Sequence, residues 1–316
     1  MPISKFPTEL IQHALGYLKD DKVSLSEASL VCTAFLGPCQ KILFSTIKFA
    51  QSSYETTAKR YSPGKEFLTI LQASPHLATY VRRVEISDRR SLPLKSSGWL
   101  RSDQAFPAVL NIMSANRITS LQISRVNWTS QPKDTQTAIL TLLSSSFLES
   151  LAFFECNLPF EIFSHGGPSF RRLSAFSTQD TLVSCSKNAG RPKVRLESFD
   201  LTFPSSTALI NFTLNSSNII DVKGLKRLSA RIIRRGAHIG DLEPLLKVCG
   251  SSLETFAWAY RYDATSHTDH GPTPLAHWFP NLSGLTSLKF METSQLANNF
   301  DYTESCITAI ALDSHA

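Results

Sequence analysis

The chain has 316 residues, 42% of them apolar and 18% charged, with a net charge of +6 at pH 7. That mix belongs to folded chains of one elongated or two ordinary domains and excludes a disordered polymer, while the charge permits contact with a polyanion without demanding one. No apolar run reaches the roughly 18 residues needed to cross a bilayer, so no membrane partner is expected. The six cysteines lie far apart with no C-x-x-C, which predicts buried thiols rather than a zinc ribbon or a disulfide framework.

Residues 1–48 predict three short helices. Pro7 suits a helix start, with Thr8 and Glu9 at the positive end of the dipole, and Leu10, Ile11, Leu15 and Leu18 follow at helical spacing. The first helix should stop near Asp20-Asp21. Ser24 or Ser26 should cap a second, carrying Leu25, Ala28, Leu30 and Val31, and a third should begin after Gly37-Pro38 with Ile42, Leu43 and Phe44 as its buried face. Three helices in so few residues bury too little surface to be robust alone, so the segment calls for a partner surface. Lys5, Pro7, Thr8 and Glu9 interrupt any signal-peptide core, which predicts a cytoplasmic or nuclear location.

Taken in order, Pro7-x-Glu9-Leu10, Leu15, Leu18, Leu25, Leu30-Val31-Cys32, Phe35 and Leu43-Phe44 resemble the F-box family. Phe6, Thr33 and Phe35 depart from it, standing where the family favours Leu, Arg or Lys, and Trp; Phe for Trp keeps most of the apolar area. The resemblance implies docking to the small adaptor subunit of cullin-RING ubiquitin ligases, and through it to a cullin. Pro7, Leu10, Ile11, Leu15, Leu30, Val31 and Phe35 would form the contact.

Residues 49–80 read as a helical linker, with Phe67, Leu68 and Leu71 before Ser74-Pro75. From residue 81 to 316 one phrase, apolar-x-x-apolar-x-apolar, recurs: VRRVEI from Val81, ITSLQI from Ile118, LESLAF from Leu148, FRRLSA from Phe170, LESFDL from Leu196, LKRLSA from Leu225, LETFAW from Leu253 and LTSLKF from Leu285. Their central residues Val84, Leu121, Leu151, Leu173, Phe199, Leu228, Phe256 and Leu288 lie 22 to 37 residues apart. The phrases resemble irregular leucine-rich repeats. In LESLAFFECNL, Cys156 holds the place where an Asn or Cys turns the chain inward, and Val126-Asn127-Trp128 ends the Ile118 unit in the same way.

Between phrases, Asp103 should cap a helix with Phe106, Val109, Leu110 and Met113. Asp134 should cap one with Ile139, Leu142 and Leu143, and Asp241 one with Leu242, Leu245 and Leu246 that stops at Gly250. A strand plus a helix cannot close a core alone, so the expected fold class is α/β: the three-helix F-box, then a curved solenoid with a parallel sheet on its concave face and helices outside. After the last phrase one amphipathic stretch remains, with Ile307, Ile310 and Leu312, and no polar capping unit is expected there.

Alternation sends the third, fifth and seventh residues of each phrase to the concave face. Small polar residues dominate this row. Phe154 and Phe176 fall on adjacent strands, and Arg172, Arg227, Arg231 and Lys289 flank them; these six are the candidate substrate-binding residues, an aromatic anchor ringed by cations. The alternative is that the chain's own loops cover the two rings.

Signals for catalysis are weak. His165-Gly166-Gly167-Pro168 is similar to the oxyanion loop of some esterases, but no G-x-S-x-G accompanies it, so it reads as a turn. His267-x-x-His270 with Asp263, Asp269 and His277 lies among Gly and Pro that would not hold ligand spacing, so no metal is expected. The doublets Arg82-Arg83, Arg89-Arg90, Arg171-Arg172 and Arg234-Arg235 read as solvated rims. The expected function is a non-catalytic substrate receptor of an F-box ubiquitin ligase that holds a protein substrate, with no cofactor and no small-molecule ligand. The alternative is a basic solenoid that binds RNA or another polyanion, with the F-box-like helices as a structural cap.

Overall fold

A computed structural model describes residues 7–50, 62–88, 98–176, 194–203, 207–215, 219–232, 242–262, 287–294 and 309–310. It is an α/β chain with a mostly parallel sheet and several helices, divided into two compact units, Met1–Leu148 and Glu149–Ala316.

The first unit opens with α1 (Thr8–Gly16), α2 (Lys22–Val31) and α3 (Thr33–Leu43). Ile11, Leu15, Leu25 and Cys39 form their shared core, with Leu18, Phe35, Ile42 and Leu43 packed around it. The structure departs from the expected cap of α2 and the expected start of α3. The cap of α2 is Asp21, whose carboxylate accepts from the Ser24 hydroxyl at 2.6 Å and the Ser24 N–H at 3.0 Å; those two donors hold it below its ordinary pKa. α3 begins at Thr33 and runs through Gly37-Pro38. An interior proline forfeits a helix hydrogen bond, but Pro38 and Cys39 are both buried, and that packing offsets the loss.

Next come β1 (Thr46–Ala50), α4 (Pro63–Ala73), a 3-10 helix (Pro75–Tyr80), β2 (Arg83–Ser87), α5 (Trp99–Ser102), α6 (Phe106–Ser114), β3 (Ser120–Ser124), a short 3-10 turn (Trp128–Ser130) and α7 (Lys133–Leu143). β1 pairs in parallel with β2, and β2 with β3. β1 is a phrase that the sequence reading passed over: Phe44-x-x-Ile47-x-Phe49 has the same form, and Ile47 pairs with Val84 as Val84 pairs with Leu121. Phe49 meets Phe67 edge-on at 5.7 Å and Phe106 at 5.0 Å, and Phe106 meets Trp99 at 5.1 Å, so one aromatic cluster ties β1, α4, α5 and α6 together. Asp103 fixes α4 against α6: one oxygen accepts from Ala105 N–H at 3.1 Å at the start of α6, the other from the buried Gly64 N–H at 2.7 Å. Asp134 lies within the first turn of α7, whose cap position is Pro132.

The second unit contains β4 (Ser150–Phe154), a 3-10 helix (Phe160–His165), β5 (Arg172–Phe176), β6 (Val194–Arg195), β7 (Ser198–Phe203), α8 (Thr207–Asn215), β8 (Ile220–Asp221), β9 (Arg227–Ile232), α9 (Glu243–Cys249), β10 (Thr255–Tyr262), β11 (Ser287–Ser294) and β12 (Ala309–Ile310). β4, β5, β7, β9, β10 and β11 pair in parallel in that order. β12 joins β11 antiparallel, and β6 and β8 form a separate parallel pair. The phrase centres are in register throughout: Leu151, Leu173, Phe199, Leu228, Phe256 and Leu288 are successive partners. Leu242, Leu245 and Leu246 are buried as read from sequence, whereas Asp241, Ile307 and Leu312 lie outside the described residues.

A backbone device repeats along both units. The carbonyl of the second phrase residue accepts two N–H groups from the next strand's entrance: Ser45 from Arg82 and Arg83, Arg82 from Thr119 and Ser120, Glu149 from Arg171 and Arg172, Arg171 from Glu197 and Ser198, Glu197 from Lys226 and Arg227, Lys226 from Glu254 and Thr255. At the other end of two strands, Arg125 (φ 58°) and Glu155 (φ 51°) adopt the left-handed conformation, which turns Val126 and Cys156 into the core at full burial. Cys156 Sγ donates to the Phe154 carbonyl at 3.2 Å and braces its turn.

Candidate functional site

The outward side chains of the second unit form three levels. At the first, Arg172, Ser198 and Arg227 are register partners; at the second, Ser174, Asp200 and Ser229. The third begins with Phe154 and Phe176, partners on β4 and β5, whose rings stack at 4.5 Å with 11° between planes. Arg231 brings its guanidinium carbon 5.9 Å from the centre of the Phe176 ring, within cation–π range. To reach from β9 to β5 it must cross β7, where its partner is Thr202. Thr202, which alternation had sent to the open face, is fully buried, and the crossing side chain accounts for that.

Asp200 is the group that sequence reasoning left out of the site. It stood in the outward row, but its role depends on neighbours 26 residues before it and further along the chain. Ser174 Oγ donates to its Oδ2 at 2.9 Å. Burial pushes its carboxyl above the ordinary carboxylate value, while the Ser174 hydroxyl and the charges of Arg227 and Arg231 pull it back. The face thus offers a plate of two half-buried rings, three guanidinium groups and one half-buried acid. Arg172 approaches Glu149 at 3.8 Å. Lys289 lies on β11 in register with Ala257.

Below the face, the second phrase residues alternate in sign: Glu149, Arg171, Glu197, Lys226, Glu254. Arg171 pairs with Glu197 at 2.7 Å and Lys226 with Glu254 at 3.3 Å. Arg171, read from sequence as part of a solvated rim, is exposed and belongs to a row of mutually neutralising charges. Arg83 is likewise engaged, with Glu85 at 2.9 Å and Gln122 at 2.9 Å.

The residues read as adaptor-binding divide in two. Ile11 and Leu15 sit in the three-helix core and Phe35 is half-buried against it, so they shape the bundle from within. Pro7, Leu10, Leu30 and Val31 face water; Leu10 is 56% exposed, Leu30 82% and Val31 63%. Val23, Leu30 and Val31 share one face of α2 at i, i+7 and i+8, opposite the fully buried Leu25.

His165-Gly166 closes the 3-10 helix (Phe160–His165) as a turn. His267, His270, Asp263, Asp269 and His277 lie outside the described residues, as do Arg89-Arg90 and Arg234-Arg235. Cys39, Cys156 and Cys249 are buried, and burial raises the Cys249 thiol to about 11. Among the described residues no three His, Cys, Asp or Glu side chains are grouped to hold a metal, and no helix is long and apolar enough to cross a membrane. No protein-family model matches the chain, and no curated protein matches it.

Proposed function

We propose that the chain is a non-catalytic substrate-recognition subunit of an F-box type cullin-RING ubiquitin ligase: the three N-terminal helices dock the adaptor, and the outward strand face holds a protein substrate. One observation carries the reading. The three-helix bundle closes its core with Ile11, Leu15, Leu25 and Cys39 yet leaves Leu10, Leu30 and Val31 in water, the residue types that belong under a partner. The in-register phrases and their inward turns at Val126 and Cys156 support the leucine-rich-repeat half of the proposal, with Phe154 and Phe176 as the anchor of the substrate surface. The chemistry of ubiquitin transfer would belong to the other subunits, and this chain would contribute proximity. In the row from Glu149 to Glu254, Arg171 and Lys226 are paired with carboxylates, which disfavours the alternative of RNA held along this strand face.

The test is affinity purification of the tagged full chain, followed by mass spectrometry and by direct binding of a purified adaptor subunit. Adaptor and cullin should co-purify with the wild type and be lost from a Leu30→Asp, Val31→Asp variant. Their absence from the wild-type sample would overturn the reading.

A further inference from the structure

The first unit contains a cleft of about 720 Å³ between the end of α3, the 3-10 helix (Pro75–Tyr80), the turn after α6 and Phe147. Its lining includes Lys41, Arg82 and Arg117 and not one carboxylate. None of the three cations has an Asp or Glu oxygen within 4 Å among the described residues. Three like charges converging on one concavity repel one another unless an anion lies between them.

Two of them are held by something other than a carboxylate. Arg82 donates through one terminal nitrogen to the carbonyls of Thr79 and Val81 at 2.7 and 2.8 Å, which fixes the guanidinium and leaves its other N–H groups available. Arg117 lies over the Phe147 ring at 5.4 Å. Lys41 stands exposed on the last turn of α3. Helix C-termini favour cations, which accounts for Lys41 on the last turn of α3, but not for its convergence with Arg82 and Arg117 on one cleft. The hydroxyls of Ser45 and Thr79 already donate to backbone carbonyls, so recognition falls to the three cations and the Tyr80 hydroxyl.

We propose that this cleft binds a small polyphosphate. The volume lies within the range of small-molecule sites, roughly 300 to 1,000 Å³, and a single orthophosphate would leave most of it to water. Three cations match a chain of two or three phosphates, with guanidinium groups suited to paired oxygens. Two sources share this chemistry, inorganic polyphosphate and nucleoside polyphosphate; in the latter, Tyr80 and Phe147 would offer aromatic surface to the base. The site was invisible in the sequence, where no small-molecule ligand was expected, because Lys41 and Arg117 are far apart in the chain and share no motif.

The experiment titrates tripolyphosphate, ATP and AMP into the full chain by calorimetry, with Lys41→Glu and Arg117→Glu variants whose melting temperatures are measured without ligand to show that they fold. Tripolyphosphate and ATP should bind in the micromolar range, AMP at least about tenfold more weakly, and each variant should lose about tenfold or more, the worth of one charge-assisted contact. ATP binding tenfold tighter than tripolyphosphate would assign the nucleoside source, and equal affinities the inorganic one. Binding absent below millimolar, or undiminished in both folded variants, would overturn the proposal.

Discussion

Phe154 and Phe176 stack face to face at 4.5 Å on neighbouring parallel strands, and Arg231 covers the second ring. The three side chains therefore form a plate in place before any partner arrives, so little rotamer freedom is lost on binding. Phe154→Ala and Phe176→Ala should each weaken binding of a captured substrate by about 1 to 4 kcal/mol, mainly through faster dissociation. Arg227→Glu with Arg231→Glu should instead slow association and flatten its salt dependence. Surface plasmon resonance at two salt concentrations separates these effects.

The N-terminal helices make a second prediction, because buried and exposed leucines there have different tasks. Leu25→Ala removes a fully buried side chain and should destabilise the first unit by about 2 to 5 kcal/mol. Leu30→Ala should leave thermal stability within about 0.5 kcal/mol while weakening the adaptor complex. Urea denaturation and an adaptor pull-down on the same two variants check the division.

Gly64 admits no side chain. A Cβ there would lie 2.7 Å from Phe106 Cα, a backbone atom that cannot step aside, and 2.8 Å from Asp103 Oδ2. Gly64→Ala should destabilise by about 1 to 3 kcal/mol through overpacking. Asp103→Ala should cost a similar amount by leaving the buried Gly64 N–H without an acceptor. Because both changes break one contact, the double variant should lose less than the sum of the two, as a double-mutant cycle in urea would reveal.

Asp88 gives the first unit a pH dependence. Burial lifts its carboxyl from 3.8 to about 6, against the Leu100 and Trp99 N–H groups that hold it down. The folded chain thus binds a proton that the unfolded chain releases, and the contribution of Asp88 is most favourable in acid. It is lost as pH rises from about 4 through 6 and is constant above that, a swing of about 2 to 3 kcal/mol. Asp88→Asn should remove this slope and raise stability at pH 7 relative to wild type; melting temperatures from pH 4 to 8 measure both.

The sequence carried the strands well because their signal is local: apolar residues at the fourth and sixth phrase positions, such as Leu151 and Phe153, point inward wherever the phrase is found. It carried α3 and β1 poorly. Gly37-Pro38 looked like a break because propensity is read residue by residue, whereas the burial of Cys39 among Ile11, Leu15 and Leu25 is decided in three dimensions. Phe44 was read as the close of a helical motif, which hid that it also opens a strand phrase. The outward row was legible as a list, and Phe154 beside Phe176 followed from strand adjacency alone. The reach of Arg231 over Thr202 and the seating of Asp200 against Ser174 depend on strand register, which crossovers of varied length conceal.

The doubly accepting carbonyls at the strand entrances have a consequence for how such a chain can change. Because that seam joins strands through main-chain atoms alone, it is indifferent both to the side chains displayed beside it and to the length of chain that separates one strand from the next. Residues can enter or leave a crossover, and outward side chains can be exchanged singly, while the register stays fixed. Lineages built on this frame would drift apart in what they grip long before they drift apart in shape.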